Sequence, residues 1–233
     1  MRGAGARFSS YRDPASNIRR RIQMKIGILG TGHVGQALAK GLEALGHEIV
    51  IGSRTGDRIA AFVAGSAMRE ETFAETAHHA ELVIVALKGE VAEAVVASVA
   101  SHLVGKVVLD TTNPIAGSAV DGIVPYFTGP GESLLQRLQA LVPQARFVKC
   151  FNSVAAHLMV HPDFGGRVPS MFLCGDDAEA KAVATSIITS LGWAPEDVGG
   201  AVAGSALEAL CQIWCAPGFL RNDWHHAFAV LRS

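Results

Sequence analysis

The chain has 233 residues, 49% of them hydrophobic and 18% charged, with a formal net charge of −1. That length allows one large domain, or one with a small appendage, and the apolar share suffices for a substantial core. The charge balance gives no footing for nucleic acid as a partner, and no apolar run approaches the roughly 20 residues of a membrane span.

Residues 1–23 stand apart. They carry six arginines (Arg2, Arg7, Arg12, Arg19, Arg20, Arg21) against one acid, Asp13, leaving −6 for the remainder. They lack the apolar core of a secretory signal. An Arg-rich, acid-poor composition would suit an organellar transit peptide. The reading adopted is blander: a disordered tail, or an extension upstream of a start at Met24.

The first predicted element is a strand, Ile26 to Leu29. It runs into Gly30, Gly32 and Gly35 in the spacing G-x-G-x-x-G, then an amphipathic helix to Gly46, then a second strand, Glu48 to Ile51. Strand, glycine turn, helix and strand in succession are the context of a dinucleotide-binding fingerprint. Gly30 makes the tight turn, Gly32 lets the backbone approach a pyrophosphate, and Gly35 lets helix and strand pack closely. The free N–H groups of the helix start, around Thr31, His33 and Val34, would face the phosphates. An NAD site usually ends its second strand on Asp or Glu. This chain ends it on Gly52, Ser53 and Arg54, with Arg58 following and no carboxylate between Glu48 and Asp57. A guanidinium fork suits a 2′-phosphate, so NADP(H) is expected rather than NAD.

The alternation continues along the chain. A short helix is expected over 57–65, an edge strand over 67–70, a helix from Phe73 to Ala80 and a buried strand from Leu82 to Leu87. Val91 to His102 reads as helix and Val107 to Leu109 as strand. Pro and Gly crowd 114–131 into a loop. Ser133 to Leu141 reads as helix, Arg146 to Val148 as strand and Val154 to Val160 as helix. Ser170 to Cys174 reads as strand, Asp177 to Leu191 as helix, Glu196 to Val198 as a short strand and Ala201 to Cys215 as the last helix. The fold class is α/β: a Rossmann-type, doubly wound, mostly parallel sheet with a small C-terminal helical extension. The expected division is a tail at 1–23, an NADP-binding domain at 24–150, and a smaller part at 151–233 holding the acceptor site and a dimer surface.

Ligands in such sheets sit outside the carboxyl ends of the strands. Besides the residues above, Ala86, Leu87 and Lys88, Thr111 to Pro114, and Asn152 to Ala155 are nominated. Asn113 reads equally as a turn residue before Pro114, and Asn152 as a cap for the helix at 154. Cys150, Cys174, Cys211 and Cys215 form no C-x-x-C pair, and no ligand set has zinc spacing, so no metal is expected and the thiols read as reduced and cytoplasmic. No H-E-x-x-H, G-x-S-x-G or Ser/His/Asp pattern stands out, and no catalytic side chain is assigned.

GILGTGHVGQALAKGLEALGHEIVIGSR, the strand LVIVAL, the segments DTTNPI and VKCFNSVAAHLM, the strand MFLCGDD and the closing FAVLR occur in this order. Together they resemble the NADP oxidoreductases that use the deazaflavin coenzyme F-420, whose fold also forms the cytosolic NADPH domain of the six-transmembrane (STEAP) metalloreductases. The resemblance covers about residues 25–232. It implies NADP contacts at Thr31, Gly32, His33, Val34, Ser53, Arg54 and Arg58, a homodimer, and direct hydride transfer to a deazaflavin or flavin (FMN or FAD) with no side chain acting as acid or base. The archaeal deazaflavin reductases typically have Pro-Trp where this chain has Lys88-Gly89, and His where it has Asn152, so the acceptor is left open. An NADP-dependent metabolite dehydrogenase or imine reductase would need a positioned acid, commonly a helical Lys, and Lys181 is the only Lys beyond residue 150. A non-enzymatic NADP sensor is the third reading. The apolar segment 200–233 reads as core or as a dimer surface covering a neighbour's active site.

Overall fold

The computed structural model describes residues 23–233; the expectation of a basic tail falls on residues 1–22 outside them. Six parallel strands form one sheet: β1 (Lys25–Leu29), β2 (Glu48–Ser53), β3 (Arg69–Thr72), β4 (Leu82–Val85), β5 (Val107–Asp110) and β6 (Arg146–Lys149), in the order β3-β2-β1-β4-β5-β6. The direction of winding reverses between β1 and β4, which creates a crevice at their carboxyl ends.

Side chains of these strands alternate between two buried layers. Ile26, Ile28, Ile49, Ile51 and Ile84 face the layer filled by Leu38 and Leu42 of α1 (His33–Ala44) and by Ala184 and Ile187 of a later helix over Ala178–Ser190. Leu29, Val83, Val85 and Val108 face the other. There they meet Ala77 of a helix over Phe73–His79, Ala92 and Val96 of a helix over Gly89–Ser98, and Leu134 and Leu138 of a helix over Leu134–Leu141. In chain order, with the short helices Ala60–Val63 (α2) and Ala100–Leu103 (α5), these are α3 (Phe73–His79), α4 (Gly89–Ser98), α6 (Leu134–Leu141) and α7 (Ala178–Ser190). Helices on both faces explain why the strands read as near-continuous apolar runs.

The later chain departs from expectation in three places. The strand at Ser170–Leu173 (β7) does not join the main sheet; it pairs in parallel with β8 (Ala194–Asp197) in a small sheet of its own. The region Val154 to Val160 is no α-helix and holds only a 3₁₀ turn at Ala156–Leu158. The chain is tied elsewhere: the Trp193 indole donates to Met159 O at 3.0 Å and, just past the region, His161 N donates to Leu191 O at 2.7 Å. The last helix, α8 (Gly204–Arg221), starts after a 3₁₀ turn and continues through Pro217 to a left-handed Asn222. Proline removes the bond to the carbonyl four residues earlier. That residue is Ile213, on the exposed side of α8.

Helix α8 gives Leu207 to one buried layer and Trp214 to the other. The chain then returns beside β7, where Ser170 N donates to Phe228 O and Val230 N donates to Ser170 Oγ.

Candidate functional site: a cleft at the switch point and its buried support

The cleft outside β1, β2 and β4 has a volume of about 630 Å³. Its floor is the glycine turn. Gly30 has φ +125°, and a Cβ there would sit 2.1 Å from Ala86 O. A Cβ at Gly35 would sit 2.2 Å from Gly30 O, so α1 lies against the turn at backbone distance. Gly32 differs from both: a Cβ there would meet nothing within 4 Å. Its side faces open space. Gly32 is also the N-cap of α1 and supplies no side-chain cap, and the first turn carries no acid. The first N–H groups of a helix lack intrahelical partners and carry its positive dipole end.

The β2 end is pre-shaped as well. Ser53 is buried, and its Oγ accepts from Gly56 N at 2.8 Å while its own proton stays available. The Glu70 carboxylate accepts from Arg58 N at 2.6 Å and from Ile59 N at 2.7 Å, fixing the far side of the loop. Arg54 and Arg58 are exposed, line the cleft and make no ion pair among the described residues. Lys88 adds a third cation to the lining, which includes no Asp or Glu. Phe73, Val91 and Val95 supply an apolar wall that the sequence reading did not nominate. Val91 and Val95 are i,i+4 neighbours on α4, and that spacing was the available signal.

A second pocket of about 500 Å³ shares Val34, Leu87, Lys88 and Thr111 with the cleft and continues over Thr112 and Asn113 to Ile115 and Ser118. Gly89 belongs to its wall, and a Cβ there would sit 2.1 Å from Asn113 O. Thirteen residues were nominated for cofactor binding: Gly30, Thr31, Gly32, His33, Val34, Ser53, Arg54, Arg58, Ala86 and Leu87 line the first cleft, and Asn113 lines the second pocket. Gly35 lies beneath the turn, and Asn152 stands behind Asn113, 5% exposed. Asn152 caps no α-helix. Its Nδ2 donates to Asn113 Oδ1 at 3.0 Å and to Leu207 O at 2.8 Å, and Asn113 Nδ2 donates to Asn152 O at 2.7 Å.

Beneath the Thr111–Asn113 turn lies a group of charges that sequence reasoning passed over. The fully buried Lys149 Nζ is 2.7 Å from Asp110 Oδ2 and 3.1 Å from Glu208 Oε1, and it donates to Thr112 O at 2.7 Å. Burial pushes the Lys149 pKa down, the two carboxylates push it up, and the net direction is up, so the ammonium stays charged. A lysine directly after the buried apolar pair Phe147 and Val148 was a signal in the sequence, since Lys is almost never buried unpaired. Glu208, far along the chain on α8, gave none.

A family profile described as "NADP oxidoreductase coenzyme F420-dependent" matches residues 25–114. The crystal structure of a candidate F420-dependent NADP reductase from Arthrobacter superposes with a TM-score of 0.83 at 32% identity, covering 90% of this chain and 100% of that one. The chain belongs to the F420-dependent NADP oxidoreductase family. The F420-dependent NADP reductase of Methanothermobacter marburgensis is 28% identical over 201 residues, 80% of this chain and 89% of that protein. The rat metalloreductase STEAP3 is 31% identical over 188 residues, 80% of this chain, which spans only 36% of that relative's length. The chain is thus an NADP-binding oxidoreductase of this family. Among the described residues, no helix is long and apolar enough to cross a membrane.

Proposed function

We propose that the chain moves hydride between NADP(H) and a deazaflavin or flavin acceptor held in the second pocket. The observation that carries this reading is a carboxylate-free cleft with a glycine cradle that adjoins, across a shared wall, a second pocket. The open side of Gly32 and the uncapped start of α1 suit a pyrophosphate. Arg54, Arg58 and the free proton of Ser53 suit the 2′-phosphate, and Phe73, Val91 and Val95 suit adenine. Thr31, His33 and Val34 line the phosphate path, while Ala86, Leu87 and Asn113 border the nicotinamide end, with Asn152 bracing Asn113. NADPH, when bound, supplies the hydride. The protein's part is to hold two rings in contact and keep water out, which requires no acid or base.

Lys181, the one lysine that could serve a metabolite dehydrogenase, lies on α7. It pairs with Asp197 at 2.9 Å and lines neither pocket, which argues against that alternative. A dimer through the exposed side of α8, where Ile213, Phe219 and Leu220 are 60%, 51% and 58% exposed, completes the reading. The four free thiols suit a reducing compartment, the cytoplasm. The test is a spectrum: NADPH is mixed with the protein and, in turn, F-420, FMN and FAD. Loss of acceptor absorbance matched to NADPH oxidation is expected. NADPH that binds but reduces none of the three would overturn the acceptor reading in favour of a sensor.

A further inference from the structure

Asp110, Lys149 and Glu208 are 0%, 0% and 1% exposed, and they comprise two carboxylates and one ammonium. Every contact on the two carboxylates comes from a donor. Asp110 Oδ1 accepts from Thr112 N at 2.9 Å and Thr112 Oγ1 at 2.6 Å, and Oδ2 faces Lys149. Glu208 accepts from Leu134 N at 3.1 Å and Leu135 N at 3.2 Å, the start of α6, and from Lys149. Two carboxylates therefore serve a single ammonium, and these contacts to both are with donors. The start of α6 offsets part of the excess at Glu208, and the other neighbouring groups add no positive charge. Burial pushes the Cys150 thiol up and the Cys174 thiol to about 12, so both stay neutral, and the Tyr126 hydroxyl donates to Glu208 O at 2.6 Å. The cluster therefore carries a net charge of −1, sealed from water, directly under Thr112 and Asn113 of the second pocket.

A buried charge acts over longer range than an exposed one, because little solvent screens it. The nicotinamide ring is neutral in NADPH and cationic in NADP⁺, since hydride leaves C4 with its electron pair. We propose that the excess negative charge of Asp110, Lys149 and Glu208 stabilises the cationic ring over the neutral one, so that the protein favours hydride release from bound NADPH. The inference rests on the reading that the nicotinamide lies at the Thr111–Asn113 turn. For a separation on the order of 10 Å and an effective dielectric of roughly 20–40, one charge changes the oxidised-to-reduced affinity ratio roughly four- to fifteenfold. For a two-electron couple that is about 20–35 mV.

The test is equilibrium binding of NADP⁺, NADPH and 2′,5′-ADP to the full chain and to Glu208→Gln and Asp110→Asn, each of which removes the excess charge. In both variants NADP⁺ is expected to weaken relative to NADPH by the factor above, while 2′,5′-ADP, which lacks the nicotinamide half, changes less than about twofold. Glu208→Gln also disturbs the start of α6, so Asp110→Asn is the second arm should that variant fail to fold. An unchanged ratio in a folded variant overturns the inference. So does an equal loss of both nucleotides, which is what a purely structural role would give. A wild-type chain that binds 2′,5′-ADP but neither full nucleotide would instead strike at the placement of the nicotinamide, and binding of none of the three at the nucleotide reading itself.

Discussion

At the β2 end of the cleft, one continuous stretch, Gly30 to Arg58, supplies the polar part of the wall: a turn of glycines, a helix start, and a loop held by Ser53 and, from β3, Glu70. At the β5 end, a turn of three residues is held by side chains from much later in the chain. Asn152 and Lys149 reach it across 39 and 37 residues, and Glu208 bonds the start of α6 across 74. The first region spends few contacts on stability, because its polar groups face open space. The second is largely buried and held by bonds from distant side chains, so its residues carry the fold and the site at once. Damage to the positions of the first that face open space, such as Gly32 and Arg54, should therefore cost ligand without fold, and damage to the second should cost both.

Gly32→Val gives the largest expected separation of the two. Gly32 has φ −75°, and its Cβ would meet no atom within 4 Å, so the variant should fold with a nearly unchanged melting temperature. A branched side chain would fill the space assigned to the pyrophosphate, and binding of NADPH and NADH should both be abolished. Retained NADPH affinity in a folded variant would reduce the glycine turn to a structural role. Gly30→Val makes the contrast: φ +125° and a 2.1 Å approach to Ala86 O predict a chain that does not fold normally.

The same contrast explains what could be read from the sequence. The glycine spacing, Ser53, Arg54 and Arg58 are local signals, because the chemistry of a helix start and a loop is written in adjacent residues. Parallel strands with helices on both faces announce themselves as apolar runs, so the strand alternation was legible too. Val154 to Val160 reads as helix because its apolar spacing answers to the core, through Val154, Leu158 and Met159, while Trp193 takes the Met159 carbonyl and Leu191 the N–H of His161 just beyond. Pro217 suggested a stop, yet α8 runs through it to Arg221, with Ile213, four residues earlier, on the exposed side. The partnership of Lys149 with Glu208 is set only when α8 crosses the end of the sheet, and nothing near either residue encodes it.

Lys149→Met probes the second region directly. It leaves Asp110 and Glu208 buried without the ammonium they share. Breaking such a group by removing one partner costs about 3–5 kcal/mol, which urea unfolding should show as a lower midpoint at constant slope. A loss below about 1 kcal/mol, the range of a solvated pair, would mean that water reaches the cluster.

Arg54→Ala sharpens the first region at a smaller scale. Losing charge-assisted hydrogen bonds to the 2′-phosphate should weaken NADPH by about 1.5–3 kcal/mol. NADH, lacking that phosphate, should bind nearly as before, and the melting temperature should hold because Arg54 makes no ion pair among the described residues. Equal losses for the two nucleotides would remove Arg54 from the phosphate site.

Lys181→Ala should produce the smallest effect, and it tests the one residue outside both regions that a rival chemistry would need. Lys181 is 19% exposed and paired with Asp197, itself 48% exposed, so the pair is worth roughly 0.2–1 kcal/mol. Burial pushes the Asp197 carboxyl up, but Lys181 and the Gly199 N–H pull it down further, and the net direction is down. A lowered folded value means that the stability it contributes is present above the ordinary Asp range and is lost as pH falls through that lowered value. The variant should therefore melt slightly below wild type at neutral pH, and the gap should close in acid. Turnover should stay within about twofold of wild type, whereas a lost general acid costs roughly 10²–10⁴. A collapse of that size with NADPH affinity intact would move the chemistry away from the second pocket, toward a metabolite reduced with Lys181 as its acid.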